Sequence, residues 1–293
     1  MAETTSNQAG YRKEYLFTDK DFTYLSKLAG EIAGISLSSG KRELIYGRLV
    51  KRLRALGLKD FKSYCSLLKD GEEDGGNKDE RTHFINSITT NVTSFFRENH
   101  HFEFMAHTLL PELIGKKSSA SQPRLRIWSA GCSSGREPYS IAMVLKECIP
   151  DIERWDVKIL ATDLDSNILE VAKTAVYPKD HVKEISIERR KRWLKMGRGI
   201  NENEIKVVDE IKDMVTYRKL NLTDKWPMKG PFDIIFCRNV TIYFDRDTRI
   251  ELLNNFADYL DDEGCLFVGH SESLFGLTQR FATVGRTIHR KIR

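Results

Sequence analysis

Four apolar runs in this chain end in residues able to hold a nucleotide-like ligand. In RIWSAGCSSGREPYSIA (126–142), Ile127 and Trp128 close a run that reads as a buried strand. Gly131-Cys132-Ser133-Ser134-Gly135 then supplies a loop of small residues, and Glu137-Pro138 opens an apolar-periodic helix through Ile141, Ala142 and Leu145. Proline is tolerated in a first helical turn, where amide hydrogens have no intrahelical partner to lose. Strand, small-residue turn and helix together let backbone approach a ligand closely. The spacing is neither the G-x-G-x-x-G of dinucleotide sites nor the phosphate-cradling G-x-x-x-x-G-K-[ST].

Asp163 ends the apolar run of KILATDLDSNILEVAK (158–173), roughly thirty residues after the loop, where an acid can accept hydrogen bonds from both ribose hydroxyls. The competing role, capping the helix that starts near Ser166, suits Asp165. PFDIIFCRNVTIYF (231–244) ends its strand in Arg238-Asn239, followed by the aromatic Tyr243. Asn221-Leu222 ends the run at 213–220, in a position to reach an adenine edge. Ligands of such sheets bind outside the carboxyl ends of the strands. Four polar strand ends in this order therefore read as one rim. Glu137 has a simpler role open to it, favouring the positive end of a helix dipole. Cys237 reads as a small buried hydrophobe, and His270 as a rim histidine held by loop hydrogen bonds.

These residues need a sheet to hold them. From Leu125 onward, strand and helix patterns alternate, which predicts a mainly parallel sheet covered by helices on both faces. Strands are expected at 125–129, 157–162, 213–220, 232–237 and 264–269, with a terminal pair within 280–292. The interval 176–212 breaks the rhythm with a charged helix (187–195), a Gly197-Arg198-Gly199 turn and strand-like pieces near 205–208, and reads as a small β insertion. Before the sheet, Phe22, Leu25, Leu28 and Ile32, then Leu44, Ile45, Leu49, Leu53 and Leu56, recur at helical spacing. Gly57 and Gly71 are expected helix stops and Asp60 a cap. The tract at 69–80 holds almost no apolar residue and is expected as an exposed loop. A short helix over 82–88 and another over 101–114 should follow. The organisation predicted is a mobile leader (1–14), a helical domain (15–90), a linker (91–98) and a sheet domain (99–293).

The 293 residues suffice for two domains with ordinary cores. Apolar runs fall short of the roughly 18–20 residues that span a bilayer, and the polar N-terminus lacks a secretory segment. Five scattered cysteines, never in a C-x-x-C pair, predict reduced thiols in a cytoplasm and argue against a zinc site or a disulfide framework. A net charge of +5 permits an acidic partner without requiring one.

The glycine loop resembles the first motif of S-adenosylmethionine (SAM) methyltransferases. Together NVTSFFRE (91–98), AGCSSGREPYS (130–140), ATDLD (161–165), GPFDIIFCRNVTIYFD (230–245) and GHSES (269–273) resemble the CheR family of chemotaxis receptor glutamate methyltransferases. RLVKRLRALGLKDFKSYCSLL (48–68) is similar to that family's helical domain, and the resemblance spans about 15–290. It implies a Rossmann-like SAM methyltransferase sheet and esterification of glutamates on the cytoplasmic helices of chemoreceptors, with S-adenosylhomocysteine (SAH) as product and no metal. It places cofactor contacts on Asn91, Thr93, Arg97, Glu137, Asp163, Asn221, Leu222, Arg238 and Asn239, beside Gly131 of the loop. It sets Arg97 and Tyr243 at the reaction centre. Thr241 departs from the family's usual Leu or Met.

A glutamate carboxylate is ionised at neutral pH, with a reference pKa of about 4.3, so esterification needs alignment and no general base. The absence of a Ser-His-Asp or Cys-His arrangement agrees with this. Basic residues on the helix 41–56, Arg48, Arg52 and Arg54 among them, read either as a solvated face or as a docking face for an acidic receptor helix. The insertion's turn resembles the loop of family members that tether a receptor's C-terminal peptide by strand addition; it is also ordinary hairpin chemistry. A monomer is expected. Two alternatives stay open: a SAM-binding signalling module without catalysis, and a nucleic-acid methyltransferase, which lacks its expected aromatic signatures here.

Overall fold

The computed structural model describes residues 13–73 and 78–292. It divides into two compact units, Met1–Ile32 with Leu37–Ile88, and Ala33–Ser36 with Thr89–Arg293.

The first unit is helical: α1 (Asp19–Ala33), α2 (Arg42–Leu56), α3 (Phe61–Glu73) and α4 (Lys78–Ile88). Ile45, Leu49 and Leu53 of α2 are buried at the spacing read from the sequence. The helix stops at Gly57, whose φ of 64° suits glycine, and the Leu58 amide closes back on the Leu53 carbonyl at 3.0 Å. Asp60 accepts the Ser63 amide at 2.8 Å, as a cap should. Two expectations fail. α3 runs through Gly71 to Glu73 and α4 starts at Lys78, so the tract expected as a loop over 69–80 is helical on both sides of 74–77. A shortage of apolar residues does not by itself end a helix, since Lys and Glu propagate one well, and Glu80 of this tract is buried against Arg52. Of the expected leader, residues 1–12 lie outside the described residues; Lys13 pairs with Glu43 at 2.6 Å and Glu14 with Arg54.

The second unit opens with α5 (His100–Phe104), a π-helical turn (Met105–Leu109) and α6 (Leu110–Lys117). The single helix expected there is widened before Pro111, which has no N–H to give and whose ring crowds the preceding turn; the Leu110 amide bonds five residues back to Met105. Then follow β1 (Arg124–Ala130), α7 (Arg136–Cys148), β2 (Asp156–Asp163), α8 (Ser166–Thr174), β3 (Val176–Pro178), α9 (Ile187–Trp193), β4 (Leu194–Met196), β5 (Glu204–Val207), α10 (Asp209–Lys212), β6 (Val215–Lys219), β7 (Phe232–Cys237), α11 (Arg246–Tyr259), β8 (Leu260–Val268), β9 (Phe281–Gly285) and β10 (Ile288–Lys291).

The main sheet has the order β6-β2-β1-β7-β8-β10-β9, parallel except for β10, which runs against both neighbours. The insertion forms its own antiparallel sheet, β3-β5-β4. Every residue of β7 is buried, as expected of a parallel strand covered on both faces. From Ile234 on, alternation divides it: Ile234 and Phe236 join a core with α5–α8 and the insertion, while Ile235 and Cys237 join another with Trp128, Trp226 and Phe256 of α11. Phe232 also joins the second core, across a register irregularity between Phe232 and Ile234. Phe236 stacks on Phe267 at 4.4 Å between centroids, tying β7 to β8 on the first face. The reversal of strand order between β1 and β7 puts the carboxyl ends of β1, β2 and β7 on one rim.

Candidate functional site

The loop after β1 is shaped by close approach. Gly131 has φ 80° and Gly135 φ 85°. A Cβ on Gly131 would stand 2.3 Å from Val240 Cγ2, and one on Gly135 2.6 Å from the Tyr217 hydroxyl, so neither position accepts a side chain. The amides of Gly131 and Cys132 both reach the Thr162 carbonyl, at 2.8 and 2.9 Å. Between the glycines, Ser133 adopts φ 50° and donates its amide to Asp163 Oδ2 at 2.7 Å. Asp163 Oδ1 accepts the Asp165 amide at 3.0 Å. Burial pushes the Asp163 carboxyl up from its usual range, against the pull of these amides. Asp165, as expected, caps α8 through the Asn167 and Ile168 amides, and its other oxygen accepts from Asn91 Nδ2 at 2.8 Å. The Asn91 carbonyl takes the Ser133 hydroxyl at 3.0 Å. Asn91, the loop and the end of β2 form one hydrogen-bonded group.

Next to it runs a chain of charges, buried at Glu137 and Arg238 and open to solvent at His270. Glu137 accepts from the Ser129 hydroxyl at 2.7 Å and pairs with Arg238 Nη1 at 3.1 Å. Burial raises its carboxyl, opposed chiefly by the Arg238 charge. Arg238 is buried; its Nη2 lies 3.4 Å from Glu98 Oε2 and also donates to the Arg97 carbonyl. Glu98 Oε1 meets His270 Nδ1 at 2.8 Å. Burial alone would raise the Glu98 carboxyl, but the His270 hydrogen bond and the Arg238 charge hold it down at about 2. His101, fully buried beside it, is pushed down to about 3 by burial and by Arg238. Arg238 thus sits between two carboxylates, a placement not visible from its position at a strand end.

The turn after β7 completes the rim. Asn239 has φ 59°, and Thr241–Tyr243 form a 3-10 turn. The Tyr243 carbonyl accepts the Ser36 amide at 2.7 Å, and Ile35 bridges to Phe244, which joins residues 33–36 to this unit. Asn221 caps its own turn through Thr223 and Asp224, and Leu222 is buried next to it. Arg97 donates to the Val92 carbonyl at 2.8 Å, and the Thr93 carbonyl takes Arg136 at 2.6 Å. Cys237 is buried and its thiol is pushed well up by burial, as a packing residue requires. His270 is held by Glu98, the rim role expected of it. Glu98, His100 and His101 also place three donor atoms within 4.8 Å of one another, but Arg238 already supplies positive charge to Glu98 there.

Sequence reasoning passed over Glu98, His101 and Glu272, although RE and GHSES were in view. Their partners lie as far as 186 residues away in the chain, as Thr287 does from His101, a relationship that no local spacing encodes. In the helical unit, the three arginines proposed for docking already have partners. Arg52 reaches Glu80 through Nε at 3.0 and 3.1 Å, Arg54 pairs with Glu14, and Arg48 donates to the Ile88 carbonyl. With Lys51 and His83, Arg48 and Arg52 line an open depression of 460 Å³.

A SAM-type ligand can be tested against this rim. Glycines that admit only backbone, an acid at the end of β2, and buried polar atoms without a hydrogen-bond partner (Ser134 Oγ and Arg238 Nε) suit a ligand carrying hydroxyls, an ammonium and a carboxylate. The class defined by fold and rim is a SAM-binding methyltransferase domain accompanied by a helical domain. Residues 91–290 match the CheR methyltransferase SAM binding domain, and residues 20–89 the CheR methyltransferase all-alpha domain. The chain belongs to the CheR methyltransferase family. It is 41% identical over 274 residues to the chemotaxis protein methyltransferase of Escherichia coli, covering 93% of this chain and 91% of that one. It is 41% identical over 259 residues to a probable chemotaxis protein methyltransferase of Rhizobium etli (88% and 94% covered), and 38% over 290 residues to chemotaxis protein methyltransferase 2 of Pseudomonas aeruginosa (99% of each).

Proposed function

We propose that this protein transfers the methyl group of SAM to glutamate side-chain carboxylates of chemoreceptors, forming methyl esters. The observation that carries the reading is the rim itself: Asp163, the Gly131–Gly135 loop and the Asn239–Tyr243 turn lie at the carboxyl ends of β2, β1 and β7. Asp163 would take the ribose, Asn221 and Leu222 the adenine, and Glu137 the ammonium, with Asn91, Thr93, Arg97, Arg238 and Asn239 around them. SAM supplies a methyl activated by its sulfonium. The remaining task is alignment, which Arg97 and Tyr243 perform on the incoming carboxylate or on the cofactor's own.

No proton has to move, because the attacking carboxylate is already ionised. The two charges cancel as the ester forms, so a site that bound the carboxylate tightly would slow the reaction; a few orienting contacts are preferable. The partner is a cytoplasmic receptor helix with acidic residues around its glutamates, met by the cationic face of α2. Among the described residues no helix is long and apolar enough to cross a membrane. A receptor's C-terminal peptide is a further partner: β4 is an edge strand, Met196 on it is exposed, and the Gly197–Gly199 turn follows. The protein is expected to act as a monomer.

The test is labelled methyl transfer from SAM to chemoreceptor-containing membranes, run beside receptors whose helix glutamates are replaced by alanine. Incorporation should occur only in the former.

A further inference from the structure

Glu272, within GHSES, has no part in the chemistry above, yet it is the most heavily engaged carboxylate on the rim. It is buried, at 7% exposure. It accepts the amides of Asn239 at 2.7 Å, Val240 at 2.9 Å and Thr241 at 2.7 Å, the Thr241 hydroxyl at 2.8 Å, and the Gly269 amide at 2.5 Å. Three successive amides converging on one anion form a nest, filled here by the chain's own side chain. Asn239 is left-handed at φ 59°, a conformation that persists only where its surroundings hold it. Gly269 leaves room for this: a Cβ there would stand 2.4 Å from Asn239 Nδ2 and 2.8 Å from Glu272 Oε2.

We infer that Glu272 is a positioning residue, fixing the Asn239–Thr241 turn and through it Asn239 and Tyr243, and that the Thr241 hydroxyl is part of the same device. This gives Thr241 a purpose that its departure from Leu or Met left unexplained. An apolar side chain there offers the carboxylate no fifth donor. Glu272 itself need not touch a ligand, since its oxygens are turned to backbone. The inference rests on the reading of this rim as the cofactor site.

Two readouts test it on the full-length protein: amide hydrogen exchange at Asn239, Val240 and Thr241, and calorimetric affinity for SAH. Glu272→Gln keeps the shape but sets an NH2 group against amide donors. It should speed exchange at the three amides and raise the Kd for SAH, each by about tenfold or more, the scale of losing bonds to a charged acceptor. Glu272→Asp should recover part of both. Thr241→Val, nearly isosteric and safe for folding, should move both in the same direction by about two- to tenfold. Unchanged exchange at the three amides, or a folded Glu272→Gln protein that binds SAH as tightly as the parent, overturns the inference. Failure of the parent itself to bind SAH would instead sink the cofactor reading, and exchange would still decide what Glu272 holds.

Discussion

Asp163 accepts the Ser133 amide at 2.7 Å, so the acid that ends β2 and the loop that follows β1 are one unit. A role in holding the loop and a role in holding the ribose are therefore not alternatives. Asp163→Ala should weaken SAH binding by roughly 1–3 kcal/mol, the scale of leaving buried partners unpaired. It should also lower the melting temperature, because Ser133 at φ 50° loses its acceptor. Calorimetry beside a thermal melt checks both; unchanged affinity in a folded protein would reduce Asp163 to a loop anchor.

Docking and folding separate on α2. Arg52 faces Glu80, which is buried and also accepts from the Tyr64 hydroxyl at 2.9 Å. Arg52→Glu should destabilise the helical unit by about 3 kcal/mol, since it leaves a buried carboxylate facing a like charge. Lys51 is exposed on the same helix, so Lys51→Glu should leave stability within about 0.5 kcal/mol. It should nonetheless reduce receptor methylation at low salt, where screening is weakest. Denaturant unfolding and methylation assays across salt concentrations distinguish the two.

His101 sets an acid limit to stability. Its pKa is about 3 in the folded protein against an ordinary value of 6.5, so below 6.5 the unfolded chain binds the extra proton. Stability should fall as the pH drops from 6.5 toward 3. Glu98, lowered from 4.5 to about 2, adds a loss of the same sign in a lower window, because its stabilising charge disappears as pH falls through the folded value. Melting temperature measured from pH 7.5 down to about 5 should decline, and His101→Gln should flatten that decline.

Much of this was legible from local pattern. The five parallel strands, the Asp165 cap and the close-packed glycine loop follow from apolar runs and small residues at fixed positions. The chain of charges Glu137–Arg238–Glu98–His270 was not, because it joins residues far apart in sequence whose types are ordinary on a surface. Arg238 read as a ligand contact at a strand end, and burial between two carboxylates changes what its charge is doing. The same holds for α2: its arginines look free in sequence, and only the packing of α4 reveals Glu80 opposite Arg52.

Tyr243→Phe removes a single hydroxyl from the turn that Glu272 holds. If Tyr243 orients the reacting pair, turnover should fall by about fivefold or more while SAH affinity barely moves, because the lost contact forms only with both reactants present. The turnover profile should lack an ascending limb near pH 6–7, since no base must be deprotonated. A limb there, abolished by His270→Ala, would move His270 into the chemistry.

The central claim is that the product is a carboxyl methyl ester. Receptor-containing membranes labelled from methyl-labelled SAM, then made alkaline, decide it most directly. The account predicts that the receptor-bound label is released as volatile methanol, because base hydrolyses a carboxyl methyl ester. Label that stays on the receptor through the same treatment would mean methylation at nitrogen or another base-stable position, and would contradict it.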